Sequence, residues 1–148
     1  MKLNKLYYFT LITFLISLKG HSQLNASVIG AAQVLDNNCF LITPAVNDQS
    51  GGVWYDNLID FSNDFTIYYQ SYFGSNDADG ADGMALLIKQ NSNPAIGDTG
   101  AFIGYGGIDQ SLIVEFDTFQ NNGGADQGPE AFSDPTYDHI AIMKNGVS

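Results

Sequence analysis

Apolar positions along this chain fall in short runs rich in β-branched and aromatic residues, separated by Gly, Asn, Asp and Ser clusters, and helical periodicity is nearly absent. That is the pattern of antiparallel β architecture. It predicts strands at roughly 27–35, 38–43, 53–59, 63–73, 82–90, 101–105, 111–119 and 139–144. In DFTIYYQSYF, Phe65, Ile67 and Tyr69 share one face while Thr66, Tyr68 and Gln70 share the other, as expected of a strand with a wetter side. MALLIK and SLIVEF are more evenly apolar, which predicts cover on both faces up to the point where acids begin. The segments SNDADGADG at 75–83 and GYGG at 104–107 are turns, able to adopt backbone conformations closed to most residues and suited to carrying a binding site on a rigid sheet.

The first 22 residues stand apart from this pattern. Lys2 and Lys5 precede an apolar run, Leu6 to Leu18, that breaks at Lys19 and Gly20, with Gly20 and Ser22 framing a cleavage point before Gln23. This is the layout of a secretory signal peptide, and its apolar run is too short for the roughly 20 residues a membrane-spanning helix needs. The expectation is a secreted or cell-surface protein, not inserted in the membrane after cleavage, with one domain over residues 23–148. The chain ends at GVS directly after an apolar strand, which predicts a domain truncated at its C-terminus.

Cleavage would leave Lys89 and Lys144 against sixteen acids, a formal charge of 2 − 16 = −14, with no arginine in the chain. Such a surface repels nucleic acid and anionic membranes and attracts cations. Fourteen of the acids are Asp, the short carboxylate favoured in turns and in loops that bind hard cations. A single cysteine, Cys39, excludes an intrachain disulfide, and its place in the run CFLIT predicts a small buried hydrophobe.

Candidate chemistry concentrates in SLIVEFDTFQN and the DPTYDH that follows a Gly-rich loop. Glu115 and Asp117, one residue apart, project from the same strand face with Cα atoms about 6.5–7 Å apart. Like charges so placed repel, and a shared cation resolves the conflict. Asp117, Asn121, Asp134 and a backbone carbonyl, that of Phe119, make an all-oxygen set suited to Ca²⁺. Glu115, Asp117, Asp134 and His139 make a mixed oxygen and nitrogen set suited to Mn²⁺ or another transition metal. Asp117 and Asp134 would then bridge two ions. The plain alternative is a solvated acidic face, which fits any one of these residues alone better than it fits acids set this close to the apolar runs SLIV and HIAIM.

These residues carry a resemblance. VEFDTFQN followed by DPTYDHIAI resembles the metal-binding core of the legume (L-type) lectins, where VEFDTxxN and DPxxxHIGI occur in that order. ADGMALLI at 81–88 resembles the family's ADGLAFFL, and GAFIGYGG at 100–107 its GGYLG loop; with looser matches upstream the likeness covers most of residues 33–145. The resemblance implies an all-β, concanavalin-like jelly-roll sandwich of antiparallel sheets in a secreted, bacterial-style lectin whose partners are glycans. It also implies that Ca²⁺ and the transition metal organise a sugar site at Asp82, with a cis Ala81–Asp82 peptide, at Asn121, and at a backbone N–H of Gly100 or Ala101. Phe119 or Phe102 would cover the apolar face of the sugar. Two departures leave alternatives open: the long insertion between Asn121 and Asp134 lets Asp126 or Glu130 compete as ligand, and Ala101 stands where the family has its sugar-contacting glycine.

Two other readings compete. Laminarinase-like hydrolases place an ExDxxE motif on a similar sandwich, but here Gln120 replaces the last acid, so a retaining mechanism lacks its proton donor. A calcium-stabilised structural or adhesive β-domain would bind metal without sugar. The stretch NDADGADG resembles half a calcium loop but lacks the spacing of an EF-hand.

Overall fold

A computed structural model describes residues 24–36, 38–76, 80–121 and 134–146. The predicted signal peptide, Asp77 and Asp79 of the acidic loop, and the alternative ligands Asp126 and Glu130 lie outside the described residues. Among the described residues seven strands form: β1 (Ala26–Gly30), β2 (Gln33–Asp36), β3 (Cys39–Leu41), β4 (Gly51–Tyr55), β5 (Gly83–Lys89), β6 (Ser111–Asp117) and β7 (His139–Lys144). They pair antiparallel as β1–β4, β2–β3 and β5–β6–β7. The chain is all-β; among the described residues the one helical element is a three-residue 3-10 turn, Gly100–Phe102.

The three-stranded sheet positions the site. Its register sets Gly83, Asp117 and His139 on one rung, Ala85, Glu115 and Ala141 two residues along, and Leu87, Ile113 and Met143 beyond. Alternation places these rungs on one face. The opposite face carries Met84, Phe116 and Ile140, then Leu86, Val114 and Ile142, then Ile88, Leu112 and Lys144. Ile113 is fully buried, whereas Ile140 and Ile142 are 66% and 74% exposed. The even cover expected for SLIVEF is therefore one-sided: the face with the acids is the buried one, and Leu112 on the other is exposed.

Other expectations need correcting. Residues 27–35 make two strands, because Gly30 at φ +63° and a turn at Ala31 interrupt the extended run. Residues 63–73 form no ladder among the described residues; their aromatics lie against the apolar sheet face, with Tyr69 and Phe73 centred 6.3 and 6.2 Å from the Phe116 ring. The two-residue alternation survives without pairing, since Phe65, Ile67 and Tyr69 are less exposed than Tyr68. Residues 101–105 are a 3-10 turn and its exit, not a strand, because Ile103 and Gly104 take positive φ. Cys39 is exposed on the short β3, not buried.

Candidate functional site

Strand pairing, not sequence proximity, assembles the acidic cluster. Asp117 ends β6, His139 begins β7, and their register makes them neighbours across the ladder, with Glu115 two residues back on the same face. Glu115, Asp117 and His139 each direct one ligand atom into a volume where all three lie within 4.8 Å of one another. Glu115 Oε1 stands 3.7 Å from His139 Nε2. Glu115 and Asp117 are only 5% and 4% exposed, so their carboxylates have left most of their hydration behind.

Asp134 stands beside this trio, not within it. Its Oδ2 accepts the Asn121 N–H at 2.8 Å, and its carbonyl accepts from Gln120 Nε2 at 3.3 Å. These bonds close the two ends of the 121–134 loop, and Asn121 itself is buried. Asp117 Oδ1 accepts the Phe119 N–H at 2.8 Å, turning the chain sharply at the end of β6. Phe119 is exposed beside this turn.

Asp82 enters from β5 through a cis Ala81–Asp82 peptide, as the resemblance implies. Its carbonyl accepts the Thr118 N–H at 3.0 Å and the Thr118 hydroxyl at 3.3 Å, tying this peptide to the end of β6. Gly83 follows at φ +157° with its Cα packed on the Phe116 carbonyl, a place where a Cβ has no room. The Gly100–Phe102 turn borders the same corner, since the Ile103 side chain lies 3.0 Å from the position a Gly83 Cβ would take. Gly100, at φ +66°, has open space on its Cβ side, while Ala101 is half-buried within the turn. The predicted sugar residues Asp82, Gly100, Ala101, Phe119 and Asn121 thus sit on loops bordering one end of the sheet.

The electrostatics are those of acids short of a counter-charge. Burial pushes the Glu115 carboxyl above its ordinary range; the Tyr105 hydrogen bond pulls it down, Asp117 pushes it up, His139 pulls it down and Asp134 pushes it up. Burial also raises Asp117, opposed by the Phe119 amide and reinforced by Asp134, with further opposing effects from His139 and Asp82. Desolvation raises Asp82. Lys89 and Lys144 pair with Ser111 and Leu112 at the far end of β6, about 20 Å away at the rise of a strand. A trio of two carboxylates and an imidazole has the donor chemistry of a first-row ion site.

One participant is absent from the sequence-level reading. Tyr105, 2% exposed, donates its hydroxyl to Glu115 Oε2 at 2.5 Å and lies 3.5 Å from Met143 Sδ. Burial, then the bond to Glu115, pushes its phenol far above the ordinary range, so it remains a donor. Its one sequence signal is a large polar aromatic set among the glycines of GYGG, a residue whose hydroxyl needs a partner wherever the ring is buried.

A stretch of 86 residues, 58% of the chain, is 29% identical to the pesticidal crystal protein Cry22Aa of Bacillus thuringiensis and covers 12% of that protein. That share is too small to carry the relative's action over to this chain. The family model of the legume lectin beta-barrel domain matches residues 16–148, including every residue of the site described above. The chain belongs to the legume (L-type) lectin domain family, a carbohydrate-binding family with a jelly-roll β-sandwich fold.

Proposed function

We propose that this is an exported lectin domain whose glycan binding depends on bound metal. The observation that carries the proposal is the buried Glu115–Asp117–His139 cluster beside the Asp82 and Asn121 loops. Glu115, Asp117 and His139, joined by Asp134, would hold Mn²⁺ or another transition ion. Asp117, Asn121, Asp134 and the Phe119 carbonyl would hold Ca²⁺. The ions supply the positive charge that lets these carboxylates remain ionised together.

The protein's own groups do the rest. Asp82 and Asn121 offer acceptors and a donor for a pair of vicinal hydroxyls, the Gly100–Ala101 backbone borders the pocket, and Phe119 presents an aromatic face to the sugar C–H groups. Thr118 steadies Asp82 through its carbonyl, and Gln120 steadies Asp134 through its own. The second role speaks against the hydrolase reading, because the side chain standing where a catalytic acid would be is an amide engaged in holding the loop. The Lys2 to Ser22 leader supports export.

A glycan array run in Ca²⁺ and Mn²⁺ and again in EDTA tests this reading. Binding in metal and none in EDTA is expected. Metal binding without any glycan signal would favour the structural β-domain instead, and cleavage of an arrayed glycan would favour a hydrolase.

A further inference from the structure

We propose that Tyr105 is a positioning residue for the metal cluster: by holding Glu115 Oε2 it presents Oε1 alone to the cation. The inference rests on the metal-binding reading above and concerns how the site chooses its ion.

The geometry divides Glu115 in two. Oε2 takes the Tyr105 hydroxyl at 2.5 Å, while Oε1 faces His139 Nε2 at 3.7 Å. Met143 Sδ closes the other side of the hydroxyl at 3.5 Å and offers only a weak acceptor, so the proton is directed to the carboxylate. A carboxylate anchored through one oxygen donates through the other. One-oxygen donation beside an imidazole suits a small transition ion, whereas Ca²⁺ takes six to eight oxygens and commonly uses carboxylates through both. Tyr105 therefore biases this side of the cluster away from Ca²⁺.

The same residue reaches the loop predicted to face the sugar. Its N–H donates to the Phe102 carbonyl at 2.8 Å and its carbonyl accepts the Ile108 N–H at 3.1 Å, so its backbone forms the exit of the Gly100–Phe102 turn. Gly146, just after β7, packs on the Tyr105 carbonyl so closely that a Cβ there would stand 2.7 Å from it. The ring is thus fixed from its backbone side, and the hydroxyl reaches Glu115 from a braced turn.

The test is calorimetric titration of Mn²⁺, and separately of Ca²⁺, into the full chain, its Tyr105→Phe and Glu115→Gln variants and the double variant, with the Mn²⁺ electron paramagnetic resonance spectrum of each. Tyr105→Phe is expected to weaken Mn²⁺ by about 10–100-fold, the usual cost of losing an outer partner of a ligand, and to change the Mn²⁺ spectrum while Ca²⁺ affinity holds. In the Glu115→Gln background Tyr105→Phe should add nothing. Met143→Leu, which alters packing at the same hydroxyl, should keep wild-type Mn²⁺ affinity. Wild-type Mn²⁺ affinity in Tyr105→Phe, an equal loss for Ca²⁺, an undiminished loss in the Glu115→Gln background, the same loss in Met143→Leu, or failure of Tyr105→Phe to fold each overturns the proposal. A wild-type chain that binds no Mn²⁺ overturns the metal reading itself, a different result from a variant that matches the wild type.

Discussion

On one face of the β5–β6–β7 sheet Glu115, Asp117 and His139 crowd into a buried cluster, while on the other Ile140, Ile142 and Leu112 lie open. Burial driven by the hydrophobic effect alone would produce the reverse arrangement. Buried acids on β6 beside exposed isoleucines on the neighbouring β7 are the asymmetry that the proposed metal site explains. Leu87, Ile113 and Met143 form the next rung but one from Asp117, so a packed core fixes the platform on which the cluster stands.

Four changes probe this asymmetry, in order of expected effect. Asp117→Ala removes a carboxylate that both ligand sets share, and Mn²⁺ or Ca²⁺ affinity measured by titration should fall by more than about 100-fold. Ile113→Ala empties a fully buried site and should cost about 2–4 kcal/mol in urea unfolding.

The third is pH. Burial raises the Glu115, Asp117 and Asp82 carboxyls, so each holds its proton more tightly in the folded than in the unfolded chain. Metal-free protein is then most stable below the ordinary carboxylate range of about 4 and loses stability as pH rises through the raised folded values, because there the folded state binds more protons. Metal reverses the slope, since its ligands must be ionised. Urea midpoints across that window in EDTA and in Mn²⁺ with Ca²⁺ should slope in opposite directions, and Asp117→Asn should flatten both. The smallest effect is Ile142→Ala on the open face, expected to change stability by less than about 0.5 kcal/mol. A cost as large as that of Ile113→Ala would mean that the face is covered in solution.

Much of the site was legible in the sequence because its signals are local. Two-residue spacing puts Glu115 and Asp117 on one face, and both ends of β5, β6 and β7 stand within two residues of the predicted bounds. Glycine and aspartate clusters marked the loops that border it, and the cis peptide before Asp82 follows the family resemblance. What sequence did not reveal depends on partners. Residues 63–73 alternate like a strand yet gain no ladder, because alternation records which side chains are shielded and not whether a neighbouring backbone is present. Ile103 and Gly104 turn what looked like a strand into a tight corner through positive φ, a choice that apolar patterning does not encode. Tyr105 escaped because its bond to Glu115 exists only once the turn has folded back on β6.

The most direct test of the account is the melting temperature of the wild-type chain and of Asp117→Asn, each in EDTA and in Ca²⁺ with Mn²⁺. Metal is expected to raise the wild-type value in proportion to the logarithm of its excess over Kd, EDTA to reverse the rise, and Asp117→Asn to melt no lower than the wild type in EDTA but to gain little from metal. A wild-type melting temperature that is the same in EDTA and in saturating metal would contradict it.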